Sequence, residues 1–197
     1  SFYEMFAGDS VEASKPEHVL DRWILARLNK LVQDTTDRLE KYVITETVRE
    51  LGDFITDLST WYVRRSRDRV KGGDEADKAA TVATLQVSLI TLSKLMAPFA
   101  PFVSEQLYAR AGGTMESVHL EAWPEADSAL LDDELLVEMD RTRAIVSKAL
   151  ERRVEASMPV KQVLGSMKVT VPSGEFAEEH QALVRDEINI KAIEVAK

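Results

Sequence analysis

Ser59-Thr60-Trp61-Tyr62-Val63-Arg64-Arg65-Ser66-Arg67-Asp68-Arg69 runs two aromatic residues almost directly into four arginines, with Lys71 just beyond. Between Trp61 and Lys71 stand five basic residues and one acid, a local charge of 5 − 1 = +4, in a chain whose formal net charge is -9. Arginine grips phosphate with a planar fork and stacks on bases, so the cluster reads as a nucleic-acid footprint. Arginines in the last turns of a helix also complement its negative end and pair with neighbouring acids, which is the structural reading of the same residues.

Upstream and downstream, apolar residues recur at three and four and predict helices. Ser14, Pro16 and Glu17 predict a capped start for a first helix, which carries Val19, Leu20, Trp23, Ile24, Leu28, Leu31, Val32, Thr35 and Leu39 to about Lys41. A second helix from about Thr45 has the stripe Val48, Leu51, Ile55, Leu58 and Tyr62, with Phe54 and Trp61 alongside. The arginines follow as this stripe runs out, and Gly72-Gly73 closes the helix. Asp74 caps a third helix with Val82, Leu85, Leu89, Leu92 and Met96 on its face. Pro98 and Pro101 break that helix and start a short one bearing Phe102, Val103, Leu107 and Tyr108, ended by Gly112-Gly113. Residues 114–131 are irregular, with Trp123-Pro124 as a packing knob. A fourth long helix runs from Asp132 or Asp133 to about Ala156, its face marked by Leu135, Met139, Thr142, Val146, Ala149 and Arg153.

Four long helices with short links predict a mainly α fold, an antiparallel four-helix bundle over residues 14–157. Its expected core includes Trp23, Leu28, Leu51, Ile55, Leu58, Leu85, Leu89, Leu92 and Val146. Residues 1–13 read as the tail of a preceding element. Residues 158–197 read as a small α+β appendage: a strand near Val163–Val171, a turn at Pro172-Ser173-Gly174, a helix with Phe176, Leu183, Val184 and Ile188, and a closing strand with Ile190, Ile193 and Val195.

Composition excludes several classes of chemistry. There is no cysteine, hence no disulfide framework, thiolate zinc site or cysteine nucleophile. No uninterrupted apolar run reaches the ~18 residues of a membrane span, and the N-terminus has no secretory pattern. His18, His119 and His180 lack the spacing of a metal site. His119 beside Glu121 could form an acid–base pair, but a structural role is the commoner reading. Asp132-Asp133-Glu134 reads as acids complementing a helix start rather than a cation cluster. Gly72-Gly73 and Gly112-Gly113 do not have the context of a phosphate loop. A second basic group, Arg141, Arg143, Lys148, Arg152 and Arg153, with Lys161 after it, is interleaved with Glu138, Asp140, Glu151 and Glu155 and reads first as a solvated ion-pair face.

The Ser59–Arg69 run resembles the signature helix of the anticodon-binding domain of isoleucyl-tRNA synthetases, which are class I enzymes. Leu20-Asp21-Arg22-Trp23-Ile24-Leu25-Ala26-Arg27-Leu28 resembles the family's first-helix motif. Thr91-Leu92-Ser93-Lys94-Leu95-Met96-Ala97-Pro98-Phe99-Ala100-Pro101-Phe102 resembles its third-helix exit, and Glu116-Ser117-Val118-His119-Leu120-Glu121-Ala122-Trp123-Pro124 the segment that follows. The matches stand in the family's order over about residues 20–124. Valyl and leucyl relatives share the Asp-Arg-Trp-Ile and Ala-Pro-Phe elements, so such a relative is one alternative, and a freestanding helical adaptor for a protein partner is another. Val160-Lys161-Gln162-Val163-Leu164 stands where the family has a Val-Arg-Gln-Pro-Leu pattern, with Lys for Arg and Val for Pro.

The resemblance implies a tRNA anticodon-binding module, with Arg64, Arg65, Arg67, Arg69, Lys71, Arg152 and Lys161 as its tRNA-binding candidates and no catalytic or metal-binding residue. It implies a parent isoleucine–tRNA ligase, cytoplasmic and monomeric, that uses ATP and Mg2+. Its partners would be isoleucine-specific tRNA and the remaining domains of the same synthetase. The opening Ser1-Phe2-Tyr3-Glu4-Met5-Phe6 carries no initiator methionine, and neither His-Ile-Gly-His nor Lys-Met-Ser-Lys-Ser occurs. The chain is therefore expected to be a cofactor-free piece of a longer polypeptide, inactive alone.

Overall fold

The structure, a computed structural model, describes residues 16–72, 74–171 and 175–196. The tail expected at 1–13, the cap expected at Ser14, the second glycine of the Gly72-Gly73 stop and the turn expected at 172–174 lie outside these residues. The fold is mainly helical with one small sheet. By its internal packing the chain divides into Ser1–Asp132 and Asp133–Lys197, ahead of the fourth helix. Periodicity alone puts the division after residue 157.

In the first unit, helix α1 spans Val19–Glu40, α2 Ile44–Asp57, α3 Arg67–Gly72, α4 Glu75–Met96 and α5 Pro101–Arg110. A π-helical segment, Leu58–Val63, joins α2 towards α3. Helix α1 starts at Val19 with His18 as its cap: the Leu20 N–H donates to His18 Nδ1 at 3.1 Å. Asp74 caps α4, as expected, accepting from the Asp77 N–H at 2.8 Å. Gly112 takes φ 82°, and a Cβ on Gly113 would run into the Tyr108 ring, so the glycine pair ends α5 for two different reasons.

The first unit's core lies where α1 meets α2 and α4, and where α4 meets α3 and α5. Trp23, Ile24, Leu31, Phe54, Tyr62, Leu92, Leu95 and Tyr108 are buried there. By length and composition α4 is apolar enough to cross a membrane. Half of that stretch is buried, with Val82, Leu85, Leu92 and Leu95 in the core, while Val87 is exposed. Charged residues clip α1 to α2: Arg27 lies 3.5 Å from both Glu50 and Asp57, and Arg38 pairs with Glu50. Residues 114–131 are irregular apart from two 3-10 turns, Val118–Leu120 and Ser128–Leu130. Helix α1 holds this stretch through Thr36, whose hydroxyl accepts from Trp123 Nε1 at 2.8 Å, and through Asn29, whose Oδ1 accepts from the Asp127 N–H at 2.8 Å.

Most of the expected core is buried, but α2 is rotated from the expected stripe. Val48 and Ile55 are 46% and 40% exposed, and Thr47 and Phe54 are fully buried in their place. Thr47 can face inward because its hydroxyl donates to the Val43 carbonyl at 2.6 Å. An apolar count does not register a satisfied threonine, so the expected stripe lies about one residue late. Leu89 is partly exposed. On α5, Tyr108 is buried as expected, but Phe102 and Val103 face outward and Ser104 is buried in their place.

In the second unit, helix α6 spans Asp133–Glu155, strand β1 Leu164–Thr170, helix α7 Glu178–Ile188 and strand β2 Ile190–Ala196. The strands pair in parallel, with Leu164 opposite Ile190 and Thr170 opposite Ala196, so α7 is a crossover. Asn189, at φ 52°, turns the chain from α7 directly into β2. Its Nδ2 donates to the carbonyls of Val160 at 2.9 Å and Lys161 at 3.2 Å. This is the strand–helix–strand order that the sequence predicts.

Phe54→Ala should cost about 3–5 kcal/mol of stability, the usual range for emptying a buried phenylalanine site. Ile55→Ala should cost less than about 1 kcal/mol, as befits a surface position. Urea midpoints of the two variants check this; equal losses would mean that α2 is not rotated as described.

Candidate nucleic-acid interface

From Phe54 to Val70 the buried positions are Phe54, Asp57, Leu58, Tyr62, Ser66 and Val70, and all but Asp57 fall at a spacing of four. In an α-helix each four-residue step overshoots a full turn by about 40°, so a strict spacing of four walks off any one face. The π segment has wider turns and absorbs part of that overshoot. It occurs where hydroxyl groups compete for the backbone. The Thr56 carbonyl accepts from Thr60 Oγ1 at 2.7 Å and Ser59 Oγ at 3.3 Å. Helical bonds then resume, Ser66 N–H to Tyr62 carbonyl at 2.9 Å and Val70 N–H to Ser66 carbonyl at 3.1 Å. The core stripe therefore does not end at Tyr62; it continues eight residues further, to Val70.

With this face buried, the basic residues separate. Arg64, Arg67 and Lys71 are exposed and, at spacings of three and four, form one outward row. Arg64 Nε donates to the Thr60 carbonyl at 2.8 Å, which lays its side chain along the helix. The Arg65 guanidinium sits 5.6 Å from the centre of the Trp61 ring, a cation–π contact that holds it against the surface.

Arg69 turns inward. Its Nη1 and Nη2 donate to Asp21 Oδ1 at 2.9 Å and Oδ2 at 2.7 Å, a two-pronged contact. On its other side, Nε and Nη2 reach Asp77 Oδ2 at 3.0 Å and Oδ1 at 2.5 Å. The Tyr62 hydroxyl donates to Asp21 Oδ1 at 2.7 Å, next to the Thr81 carbonyl at 3.1 Å. Asp21 is 0% exposed. Burial alone would lower the Arg69 pKa, but the hydrogen bonds to Asp21 and Asp77 outweigh it and raise the pKa above the ordinary arginine value. The bond from Arg69 holds the Asp77 carboxyl below its usual value against desolvation. Burial, then the charge of Asp21, lifts Tyr62 well above the ordinary phenol value. Arg65 and Arg69, four apart in the sequence and both tRNA-binding candidates, thus have different surroundings.

Arg152 and Lys161 belong to the second unit and are both exposed, Arg152 in the last turn of α6 and Lys161 in the loop whose carbonyls Asn189 holds. The α6 cations show the solvated ion-pair pattern that the sequence suggests: Arg141 with Glu138, Arg143 with Asp140, Lys148 with Glu151 and Arg152 with Glu155. Arg153 departs from it. It is 4% exposed and donates to the carbonyls of Ile188 (2.7 Å), Gln162 (2.8 Å), Pro159 and Asn189 (both 3.2 Å).

The remaining candidates take structural roles. Glu121 is held by Lys94 Nζ at 2.9 Å and by the Tyr108 hydroxyl, bonds that keep its carboxyl below the usual pKa, the Tyr108 bond first. That engagement gives the His119–Glu121 pair a structural reading. His180 is buried, 3.0 Å from Thr142 Oγ1, with its ring against Phe176. Among the described residues no group of three or more histidines and carboxylates could hold a metal ion.

Residues 21–169 match the model of a family described as the anticodon-binding domain of tRNA ligase. Similar proteins include an isoleucine–tRNA ligase of Dehalococcoides mccartyi, 40% identical over 197 residues that cover 94% of this chain and 19% of that protein. An isoleucine–tRNA ligase of Clostridium acetobutylicum is 37% identical over 208 residues, covering 98% of this chain and 20% of that protein. One of Cutibacterium acnes is 38% identical over 183 residues, covering 90% and 16%. The chain spans about a fifth of the length of the curated relatives it matches.

Arg69→Ala should destabilise the chain by about 3–5 kcal/mol, because it leaves the buried Asp21 charge without its partner. Asp77→Asn should also destabilise it near neutral pH, and here pH discriminates. A carboxyl whose folded pKa is depressed contributes stability above its unfolded value of about 4 and loses it as pH falls through the folded value. The gap between native and Asp77→Asn chains in urea unfolding should therefore be full above about pH 5 and close progressively in more acid solution. A gap that does not change with pH would separate Asp77 from the Arg69 site.

Proposed function

Because the chain belongs to the anticodon-binding domains of tRNA ligases, we propose that it holds the anticodon stem-loop of isoleucine tRNA for an isoleucine–tRNA ligase. The observation that carries this is the outward row Arg64–Arg67–Lys71, with Arg65 stacked on Trp61 beside it. Guanidinium groups and an ammonium at successive helical turns suit a run of backbone phosphates, and an arginine held over a tryptophan ring by a cation–π contact sets a cation and an aromatic ring together where an unpaired base can meet them. Arg69 orients this row through Asp21 and Asp77 without touching RNA itself. Arg152 and Lys161 add phosphate contacts from the second unit. A mainly helical first unit that presents the outward row just after the π segment and on α3 is the architecture that goes with this role.

The parent enzyme would form isoleucyl adenylate from isoleucine and ATP with Mg2+, in the cytoplasm and as a monomer, and then transfer isoleucine to the tRNA. The residues of this chain do not fit ATP or Mg2+: neither glycine pair follows a strand and leads to a phosphate-binding lysine, and no acidic cluster among the described residues suits a metal. Its share of the reaction is to bind and orient the far end of the tRNA, in concert with the remaining domains of the synthetase.

Arg64→Ala combined with Arg67→Ala should weaken binding of the isoleucine tRNA anticodon stem-loop at least tenfold and leave the melting temperature near that of the native chain. The slope of log affinity against log salt should shrink by somewhat under about one for each phosphate no longer neutralised. Fluorescence titrations across a salt series measure both. Unchanged affinity and slope would return the cluster to a solvated ion-pair face.

A further inference from the structure

The second unit carries a groove of about 440 Å³ between α6 and β1. Its apolar surface includes Ile145, Met158, Leu164 and Met167, and its rim Lys148, Arg152 and Lys168. In a chain with 34 acids against 25 basic residues, no carboxylate lines this groove. None of the first unit's interface candidates lines it. We propose that it is a slot for one unpaired nucleotide of bound RNA, the base against the methionines and the flanking phosphates on the rim cations. This inference rests on the RNA-binding reading above and extends the phosphate contact given there to Arg152 into a site for a whole nucleotide.

Three features select a nucleotide over other occupants. Thioethers favour aromatic rings, and two of them, Met158 and Met167, line one groove, where a purely aliphatic ligand would be served as well by leucine. The lining supplies cations and no carboxylate, with the partner acids Glu151, Glu155 and Glu194 standing outside it, which suits an anionic ligand with a flat apolar face. The sheet has two strands, so the β1 edge away from β2 bears no strand among the described residues. Ser166 to Thr170 all belong to the lining although their side chains alternate between faces, so the groove runs along this edge, where outward peptide groups can bond to the edge of a base. Lys148 and Arg152 each have a one-turn partner, Glu151 and Glu155, on an exposed helix surface. Such exposed pairs are weak enough to be exchanged for a phosphate. Lys168 stands opposite Glu194 in the strand register and projects from the same face as Ser166 and Thr170.

Methyl NMR of the 197-residue chain labelled at methionine tests the slot directly. On titration with the isoleucine tRNA anticodon stem-loop, and with a single-stranded RNA hexamer, the Met158 and Met167 methyls should shift, while Met139, buried in the same unit, stays fixed. A blunt RNA duplex without a loop should leave all three in place. Lys148→Glu with Lys168→Glu should cut hexamer affinity at least tenfold at an unchanged melting temperature. The Arg64→Ala, Arg67→Ala chain should still show the Met158 and Met167 shifts with the hexamer. Still methyls in a chain whose Arg64- and Arg67-dependent stem-loop binding is intact would overturn the slot and leave the proposed function standing. Absence of any RNA binding would overturn both. Shifts produced by an acidic peptide but not by RNA would make the groove a protein-docking site and overturn the nucleotide assignment.

Discussion

Everything at the basic end of the first unit depends on one buried charge, Asp21. A carboxylate at 0% exposure is tolerated only if its partners replace water. Arg69 supplies two donors and Tyr62 a third, and Arg69 is itself completed by Asp77. The four residues come from α1, the π segment, α3 and α4. Such a site does not add much to stability over a well-packed apolar core, because desolvation consumes most of the Coulomb gain. It does select one arrangement, since a helix α3 rotated by one residue would take Arg69 off Asp21 and leave a buried charge with no cation against it. The rotation that satisfies Asp21 is the one that puts Arg64, Arg67 and Lys71 in solvent. The buried site and the exposed row are thus two consequences of one constraint.

The π segment is the local device that makes this rotation possible. Tyr62 has to face Asp21, and Ser66 and Val70 have to follow it inward, at a spacing of four that an α-helix does not hold on one face. Ser59 and Thr60, with hydroxyls on the Thr56 carbonyl, sit where the helix widens. Trp61 is thereby left half-buried, its ring available to Arg65. The signature run therefore has a physical division of labour: hydroxyls to loosen the helix, Tyr62 and Arg69 to anchor it, and the intervening cations to face outward.

Elements defined by periodicity and punctuation are legible in the sequence. The long helices, the Asp74 cap, the proline-started α5 and the strand–helix–strand order all follow from apolar spacing, prolines and glycines. What escapes such a reading is the inward placement of polar groups. Thr47, Asp21, Arg69 and Arg153 are all at least largely buried, each satisfied by a specific acceptor or donor that no single-sequence count can see. This is why the expected α2 stripe lies late, why the core is expected to stop at Tyr62, and why Arg69 stands among the tRNA-binding candidates. One signal is present: Asp21, third residue of α1 in the run Val19-Leu20-Asp21-Arg22-Trp23-Ile24, shares a face with Ile24, Leu25 and Leu28. An acid on that face demands a cation from elsewhere in the chain.

Arg153 solves in the second unit the problem that Arg69 solves in the first, with different chemistry. Its guanidinium is met by carbonyls at the C-terminus of α7 and in the loop after α6, acceptors with no formal charge. A carboxylate there is unnecessary because the end of a helix already presents unsatisfied carbonyls and a partial negative charge. In each unit an inward arginine fixes the rotation of a helix, and in each an adjacent or near-adjacent cation is sent outward by the same geometry: Arg67 and Lys71 two residues either side of Arg69, Arg152 one before Arg153. For a chain with a net charge of -9 this matters. The acidic remainder of the surface repels a polyanion, so the proposed RNA contacts would be confined to positions where cations are held out by a fixed backbone rather than scattered on mobile side chains. Two buried arginines are what keep those positions fixed.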